Sequence, residues 1–257
     1  MTRALRRLEG KCCIVTGSGG SIGRAAALRL ASEGALLVGC DIAAEAAGKT
    51  VHAVMAAGGE MISVEPCNLN RAEDCDRVVA AAIARFGRID VLVNNGAMAH
   101  FGWIEDISDS QWAQAIDDEL NLVFRMTRAA WPHLITASDS AIVNIASMSG
   151  WIAIKDAPGL AHSTAKGGVL SMTRHLAMEG ARHGLRANSI SPGTIETNQT
   201  RVLLEKPELG REQIERAMLS RMGQPEEIAG VIAFLASADS SYVTGADIRV
   251  DGGVLAW

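Results

Sequence analysis

Short apolar runs alternate with longer helical patterns along the whole chain. An apolar run within residues 11–23 predicts a first strand, and similar runs predict six more strands. These lie at residues 35–40, 61–65, 89–93, 141–145, 185–190 and 245–250. Amphipathic or small-residue patterns predict helices after Gly23 and at residues 43–57, 71–86, 109–132 and roughly 162–183. This alternation predicts a parallel sheet in an α/β fold.

The first strand breaks into glycines before a helix begins. Gly17 and Gly19 are expected to take backbone angles that a side chain would forbid, and Ser21 is expected to cap the helix. Gly23 is expected to let that helix lie close to the strand. Because free N–H groups at a helix start attract phosphate, the segment predicts a pyrophosphate-binding turn.

An aspartate closes the second strand. Asp41 stands eighteen residues after Gly23, where a carboxylate can hold both ribose hydroxyls of NAD. Ile42 follows, and nothing nearby offers a cationic partner for the 2′-phosphate of NADP, which the carboxylate itself would repel. The sequence therefore favours NAD over NADP.

Length, charge and cysteine content narrow the possible functions. The 257 residues contain no linker-like, repeated or low-complexity segment, which favours a single domain over residues 1–257. A net charge of −5 argues against a nucleic-acid surface, and no apolar run predicts a membrane span. The five cysteines lack the paired spacing of a zinc site, so we expect no metal site and a reducing cytoplasm.

Residues 198–222 are polar and helix-prone, without a strand pattern. We expect them to form a lid over the carboxyl ends of the strands, where ligands bind in such sheets. His100, Trp103 and Trp151 follow strand ends, and we interpret them either as an aromatic pocket or as packing beneath the lid.

Several motifs together resemble those of the short-chain dehydrogenase/reductase family over nearly the whole chain. Residues 16–23 match its glycine motif, and residues 94–97 match its Asn-Asn-Ala-Gly motif with the last two exchanged. Ser147 falls at its catalytic serine. Further matches are at residues 192–193 with Thr197, 221–228, and 242–245 with 251–253. The resemblance implies a Rossmann-type, doubly wound sheet of seven parallel strands with helices on both faces.

The resemblance also implies which residues bind the cofactor. NAD is expected at Gly17, Gly19, Ser21, Ile22, Gly23, Asp41, Asn68, Asn95, Lys166, Pro192, Gly193 and Thr197. A small-molecule substrate is expected beside it. The family also implies a homo-tetramer, with helices around 109–133 and 161–183 as the main contact.

The chain departs from the family pattern at two catalytic positions. His162 replaces the tyrosine of the family's Tyr-x-x-x-Lys motif, which ends here at Lys166. The family's asparagine on the preceding long helix falls at Glu119. Asn121 would substitute for it only if the register slipped by two, which a regular helix does not allow without local distortion. The resemblance implies that Ser147 holds the substrate carbonyl oxygen and that Lys166 binds the nicotinamide ribose.

These departures leave three functional hypotheses. Imidazole has a reference pKa of about 6.5, against about 10 for phenol, and can accept a proton from an alcohol. The leading hypothesis is an NAD-dependent oxidoreductase acting on a secondary alcohol or ketone. The second is a non-redox lyase, dehydratase or isomerase that uses His162 and Glu119 as an acid/base pair. The third is a disabled protein that still binds NAD. A separate alternative for Glu119 is a solvated carboxylate on the helix surface.

Overall fold

The computed structural model describes residues 6–155, 157–201, 211 and 214–257. The strands in these ranges are β1 (Cys12–Thr16), β2 (Leu36–Cys40), β3 (Glu60–Val64), β4 (Val91–Asn94), β5 (Ala141–Ile145), β6 (Arg186–Pro192) and β7 (Asp247–Val250). The main helices are α1 (Ser21–Ser32), α2 (Ala44–Ala56), α3 (Ala72–Phe86), α4 (Asp109–Ile116), α5 (Leu122–Leu134), α6 (Leu160–Ala181) and α7 (Pro225–Ala236).

Within the described residues, the seven strands form one parallel sheet in the order β3-β2-β1-β4-β5-β6-β7. The predicted α/β fold with a seven-stranded parallel sheet is therefore confirmed. The chain builds outwards from β1 to β3, then returns to place β4 on the other side of β1. Ligands bind in such sheets where the strand order reverses, beyond the carboxyl ends of the strands.

Alternating side chains of the central strand bury themselves in two separate cores. Cys12 and Ile14 belong to the core that contains residues of α3, α5 and α6. Cys13 and Val15 belong to the other core, which contains residues of α1, α2 and α7. Because successive side chains of a strand point to opposite faces, this alternation places helices on both faces of the sheet.

The long helix predicted at 109–132 is present, but it is not a regular α-helix throughout. A capping box between Ser108 and Gln111 starts α4. A π-helical turn, Asp117–Asn121, then separates α4 from α5. A π turn contains more residues than a regular helical turn, so it changes which side chains point towards the sheet.

Other differences are small. The ends of most strands move by one or two residues from their predicted positions, and α7 is a helix that the apolar pattern did not predict. Its start carries a capping box between Gln224 and Glu227, with Pro225 as its first residue. Residues 202–210 and 212–213 of the predicted lid lie outside the described residues. Among the described helices, none is long and apolar enough to span a membrane.

Candidate active site

The glycine turn after β1 is packed too tightly for larger residues. Gly17 has a φ of +65°, and a Cβ on it would lie 2.7 Å from the Cα of Gly96. A Cβ on Gly23 would lie 2.0 Å from the carbonyl oxygen of Gly17, which confirms that α1 approaches the turn closely. The side-chain amide of Asn95 donates to the carbonyls of Thr16 (3.0 Å) and Gly17 (3.2 Å), so β4 holds the turn in place.

Two details of this turn differ from the prediction. Gly19 does not have a positive φ; it is required because a Cβ would lie 2.8 Å from that of Ala46 and 3.0 Å from Asp41 Oδ2. Ser21 does not cap α1, because the N-cap residue is Gly20, without a side-chain cap. The Ser21 hydroxyl instead accepts from the backbone N–H of Asn198 at 3.3 Å.

Asp41 lies beside the glycine turn, as the sequence predicts. Its Oδ2 accepts the N–H of Gly19 and its Oδ1 accepts the N–H of Ala43, both at 2.8 Å. A carboxylate has about four acceptor positions, so two remain for ribose hydroxyls. In the described part of the chain, no lysine or arginine forms an ion pair with Asp41; Lys49, on the adjacent helix, pairs with Glu45. The tight turn and this carboxylate fit a dinucleotide cofactor.

The remaining predicted cofactor residues lie around the same strand ends. Asn68 follows β3, where its N–H donates to Asp74 and its side-chain oxygen accepts from Asn70. Pro192 ends β6, and a Cβ on Gly193 would lie 2.7 Å from the Cα of Asp251. Two further predicted residues complete the group: Ile22 packs against the apolar core, and Thr197 hydrogen-bonds Thr200.

Ser147 and Lys166 lie next to the end of β5. Ser147 caps a short 3-10 turn, where its hydroxyl accepts the N–H of Ser149 at 3.1 Å. The Lys166 ammonium on α6 donates to the carbonyl of Ile145 at 3.2 Å. Burial lowers the pKa of Lys166, because the ammonium loses its hydration, and the carboxylate of Glu119 opposes that effect.

Glu119 points into the site and is fully buried. It lies in the π-helical turn, and its Oε2 is 2.7 Å from Nδ1 of His162 and 3.7 Å from Nζ of Lys166. The alternative of a solvated carboxylate is therefore wrong. Asn121 does not take its place, because its amide donates to Asp117 at 2.8 Å. The two departures from the family pattern are thus in direct contact.

With Nδ1 directed at Glu119, the imidazole of His162 has one ring nitrogen left. Glu119 is an acceptor when ionised, so the favoured tautomer carries its proton on Nδ1 and leaves Nε2 free to accept. The carboxylate also compensates a positive imidazole when a proton is taken up. This arrangement of buried carboxylate, imidazole and ammonium is suited to moving a proton at Nε2.

Two of the aromatic residues predicted near the strand ends, Trp151 and His100, form polar contacts of their own. Trp151 faces β6 and β7, since its indole N–H donates to Ser191 (3.2 Å) and Asp247 (3.0 Å). His100 pairs with Asp118 at 2.7 Å. The residue that does contact His162 is Phe101, with ring centroids 5.5 Å apart. Sequence reasoning missed Phe101, because the contact joins a loop to helix α6, two segments that are distant in the chain.

Comparison with known proteins agrees with this geometry. Residues 17–255 match the family described as Enoyl-(Acyl carrier protein) reductase. The chain is 38% identical over 253 residues to a 3-oxoacyl-[acyl-carrier-protein] reductase FabG from Thermotoga maritima, covering 97% of this chain and 99% of that protein. It is 37% identical over 247 residues to a cyclohexanol dehydrogenase from Acinetobacter sp., covering 96% and 95%.

Solved structures show the same likeness. The crystal structure of gox2181 superposes with a TM-score of 0.94 at 36% identity, covering 98% of each chain. A short-chain type dehydrogenase/reductase from Mycobacterium marinum superposes with a TM-score of 0.92 at 29% identity, also covering 98% of each chain. The chain therefore belongs to the short-chain dehydrogenase/reductase family, whose members are oxidoreductases that use a nicotinamide cofactor.

Proposed function

We propose that this protein transfers a hydride between NAD and a secondary alcohol or ketone, with His162 carrying the proton. The observation that carries the proposal is the contact between Nδ1 of His162 and the buried carboxylate of Glu119 at 2.7 Å, beside Lys166. This contact orients the imidazole and places a carboxylate beside the nitrogen opposite the one proposed to take the proton. A charge taken out of water is costly unless it is paired, and the Glu119 carboxylate has both His162 and Lys166 within reach.

Each residue has a distinct role in the proposed reaction. In the direction of oxidation, Nε2 of His162 accepts the hydroxyl proton, while Glu119 holds Nδ1–H and stabilises the imidazolium that forms. Ser147 donates its hydroxyl to the substrate oxygen, and Lys166 holds the nicotinamide ribose. When bound, NAD supplies the acceptor for the hydride that leaves the alcohol carbon. Ketone reduction reverses each of these transfers.

NAD is proposed over NADP because of Asp41. Its two remaining acceptor positions suit ribose hydroxyls, whereas a 2′-phosphate would meet its negative charge at close range. The residues proposed to hold the pyrophosphate and the adenosine are the glycine turn with Ser21 and Ile22, and Asn68. Asn95, Pro192, Gly193 and Thr197 border the proposed nicotinamide side.

The test is the activity of His162 variants towards a panel of secondary alcohols, followed as NADH absorbance. His162→Phe should lower turnover by about 10²–10⁴-fold while NAD binding, measured by calorimetry, stays nearly unchanged. The control is His175→Phe, a histidine in the middle of α6 outside the proposed site. Full turnover by His162→Phe would show that another group carries the proton.

A second candidate function is non-redox acid/base catalysis, as in a lyase, dehydratase or isomerase. The same observation favours it, because a carboxylate and an imidazole in contact form an acid/base pair without any hydride step. His162→Tyr distinguishes the two. If it creates or greatly increases alcohol oxidation, the parent protein is a disabled dehydrogenase or has another task. If it removes a reaction that occurs without a change in nicotinamide absorbance, the non-redox function is supported.

We also propose a cytoplasmic homo-tetramer. Large apolar side chains are exposed on the helices expected to form its contacts: Trp112 on α4, Phe124 on α5 and Met178 on α6. Exposed apolar groups of this size favour burial against another chain. The five cysteines are free and buried, which fits a reducing compartment.

A further inference from the structure

Phe101 covers one side of the His162 imidazole. The two ring centroids are 5.5 Å apart and the ring planes are inclined by 47°. Phe101 nevertheless remains 63% exposed, so most of the phenyl ring does not contact the protein. An aromatic side chain that lies against the proposed catalytic group and is otherwise largely exposed is available to contact a substrate at that group.

The position of this ring is held by the backbone. The N–H of Gly102 donates to the carbonyl of Pro158 at 2.9 Å, and Gly102 forms a parallel bridge with Gly159. Gly159 is the N-cap residue of α6, the helix that carries His162. The loop that carries Phe101 is therefore joined to the start of that helix, and the two rings are kept together.

The loop that carries Phe101 offers an anionic substrate no unpaired basic side chain. His100, the only basic residue of the loop at 97–107, is already paired with Asp118 at 2.7 Å. Glu105 and Asp106 are exposed on the same loop and carry negative charge. The other exposed side chains of the loop include Trp103 and Ile104, which are apolar. The loop that carries Phe101 therefore presents exposed apolar groups together with negative charge.

We infer that Phe101 is a specificity-determining residue, which binds an uncharged, ring-bearing apolar group attached to the carbinol carbon of the substrate. This inference rests on the proposed function, since it places that carbon in front of His162. Burying an alicyclic or aromatic group against the exposed phenyl face removes apolar surface of both groups from water. A carboxylate in the same position would find no free cation on this loop, whose exposed ionised groups, Glu105 and Asp106, are both negative.

The test compares three alcohols on the NAD-loaded enzyme: 1-cyclohexylethanol, 2-butanol and 3-hydroxybutanoate. Phe101→Ala should lower kcat/KM for 1-cyclohexylethanol about three- to tenfold, the effect of losing one aromatic contact, and should leave 2-butanol nearly unchanged. Phe101→Leu, which keeps an apolar group, should lose less. Tyr242→Ala, at a fully exposed aromatic residue, is the matched control and should lose nothing.

Binding provides a readout that does not depend on turnover. Saturation-transfer NMR with cyclohexyl methyl ketone should show a Kd three- to tenfold weaker for Phe101→Ala than for Tyr242→Ala. The inference would be overturned, and the proposed function left intact, if NADH formed but Phe101→Ala lowered kcat/KM equally for all three alcohols. A preference of the enzyme for 3-hydroxybutanoate would have the same meaning. Ketone binding that depends on Phe101, with no NADH from any alcohol, would instead overturn the proposed function and support the binding site.

Discussion

Glu119→Gln tests the buried pair most directly. The substitution keeps the shape of the side chain but removes its negative charge, in a fully buried position where Oε2 lies 2.7 Å from His162 and 3.7 Å from Lys166. The oxygen of the new amide can still accept the imidazole N–H, so the hydrogen bond is retained as a neutral one. What the protein loses is the charge that compensates the buried ammonium of Lys166.

The expected cost follows from that loss. A hydrogen bond to a charged group contributes about 1.5–3 kcal/mol, against about 1 kcal/mol for a neutral one, and an uncompensated buried ammonium adds to the difference. We therefore expect Glu119→Gln to lower the free energy of unfolding by about 1.5–3 kcal/mol at neutral pH. At roughly 2–4 °C per kcal/mol for a domain of this size, Tm should fall by about 3–12 °C.

The pH dependence separates charge from packing. Burial lowers the pKa of Lys166 in the folded protein, and Glu119 limits that lowering. Between the folded pKa and the ordinary value of about 10.4, the unfolded chain binds more protons, so this group makes stability rise with pH. Without the carboxylate of Glu119, the pKa of Lys166 in the folded protein falls further, so the pH range over which stability rises extends to lower pH. The deficit of Glu119→Gln should therefore be largest near neutral pH and shrink as the pH approaches 10.

Urea unfolding, followed by circular dichroism between pH 6 and pH 9.5, measures the deficit at each pH. The control is Glu45→Gln, which removes an exposed carboxylate from its ion pair with Lys49 and should change little. Adding Lys166→Met to Glu119→Gln should recover part of the loss, because the unpaired ammonium is then absent. A deficit that equals the Glu45→Gln control, or that is the same at every pH, would refute the reasoning.

Three further predictions concern the cofactor site and the assembly. Asp41→Ala should reduce the preference for NAD over NADP, because it removes both the acceptors for the ribose hydroxyls and the repulsion of a 2′-phosphate. Calorimetric titration measures both affinities, and equal affinities of the parent protein for NAD and NADP would show that Asp41 does not select the cofactor. Gly23→Ala should weaken NAD binding and lower Tm, because its Cβ would lie 2.0 Å from the Gly17 carbonyl oxygen. The control is Gly48→Ala, in an open helical position, which should stabilise the protein slightly. Similar effects of the two substitutions would contradict the close-packing argument. Light scattering should give the mass of four chains, and a monomeric mass at working concentrations would defeat the tetramer.

Much of the fold could be predicted because its signals are local. Each strand is a short apolar run, and the glycine turn and Asp41 stand next to the ends of such runs, so their places follow from the order of the elements. Even there, propensity misled in one case. Ser21 is a favoured N-cap residue, but Gly20 already supplies the extended backbone that starts the helix.

The parts that could not be predicted depend on geometry between distant segments. The pattern from 109 to 132 fits one regular helix, and nothing in it indicates where a wider turn occurs, so the direction of Glu119 stayed open. The contact of Phe101 with His162 depends on a bridge between Gly102 and Gly159, fifty-seven residues apart in the chain. Neither glycine carries a pattern that identifies its partner.

The two departures from the family pattern become intelligible as one change when they are considered together. A phenol presents a single polar atom, which can face the substrate while the ring packs against apolar groups. An imidazole has two ring nitrogens on opposite sides, and when one faces the substrate the other points into the protein, where an unpaired polar group is costly. Glu119 supplies the acceptor for that second nitrogen, 2.7 Å away, and its charge also faces the ammonium of Lys166. The carboxylate on the long helix is therefore a partner for both the imidazole of His162 and the ammonium of Lys166, and it carries a negative charge that the family's asparagine does not.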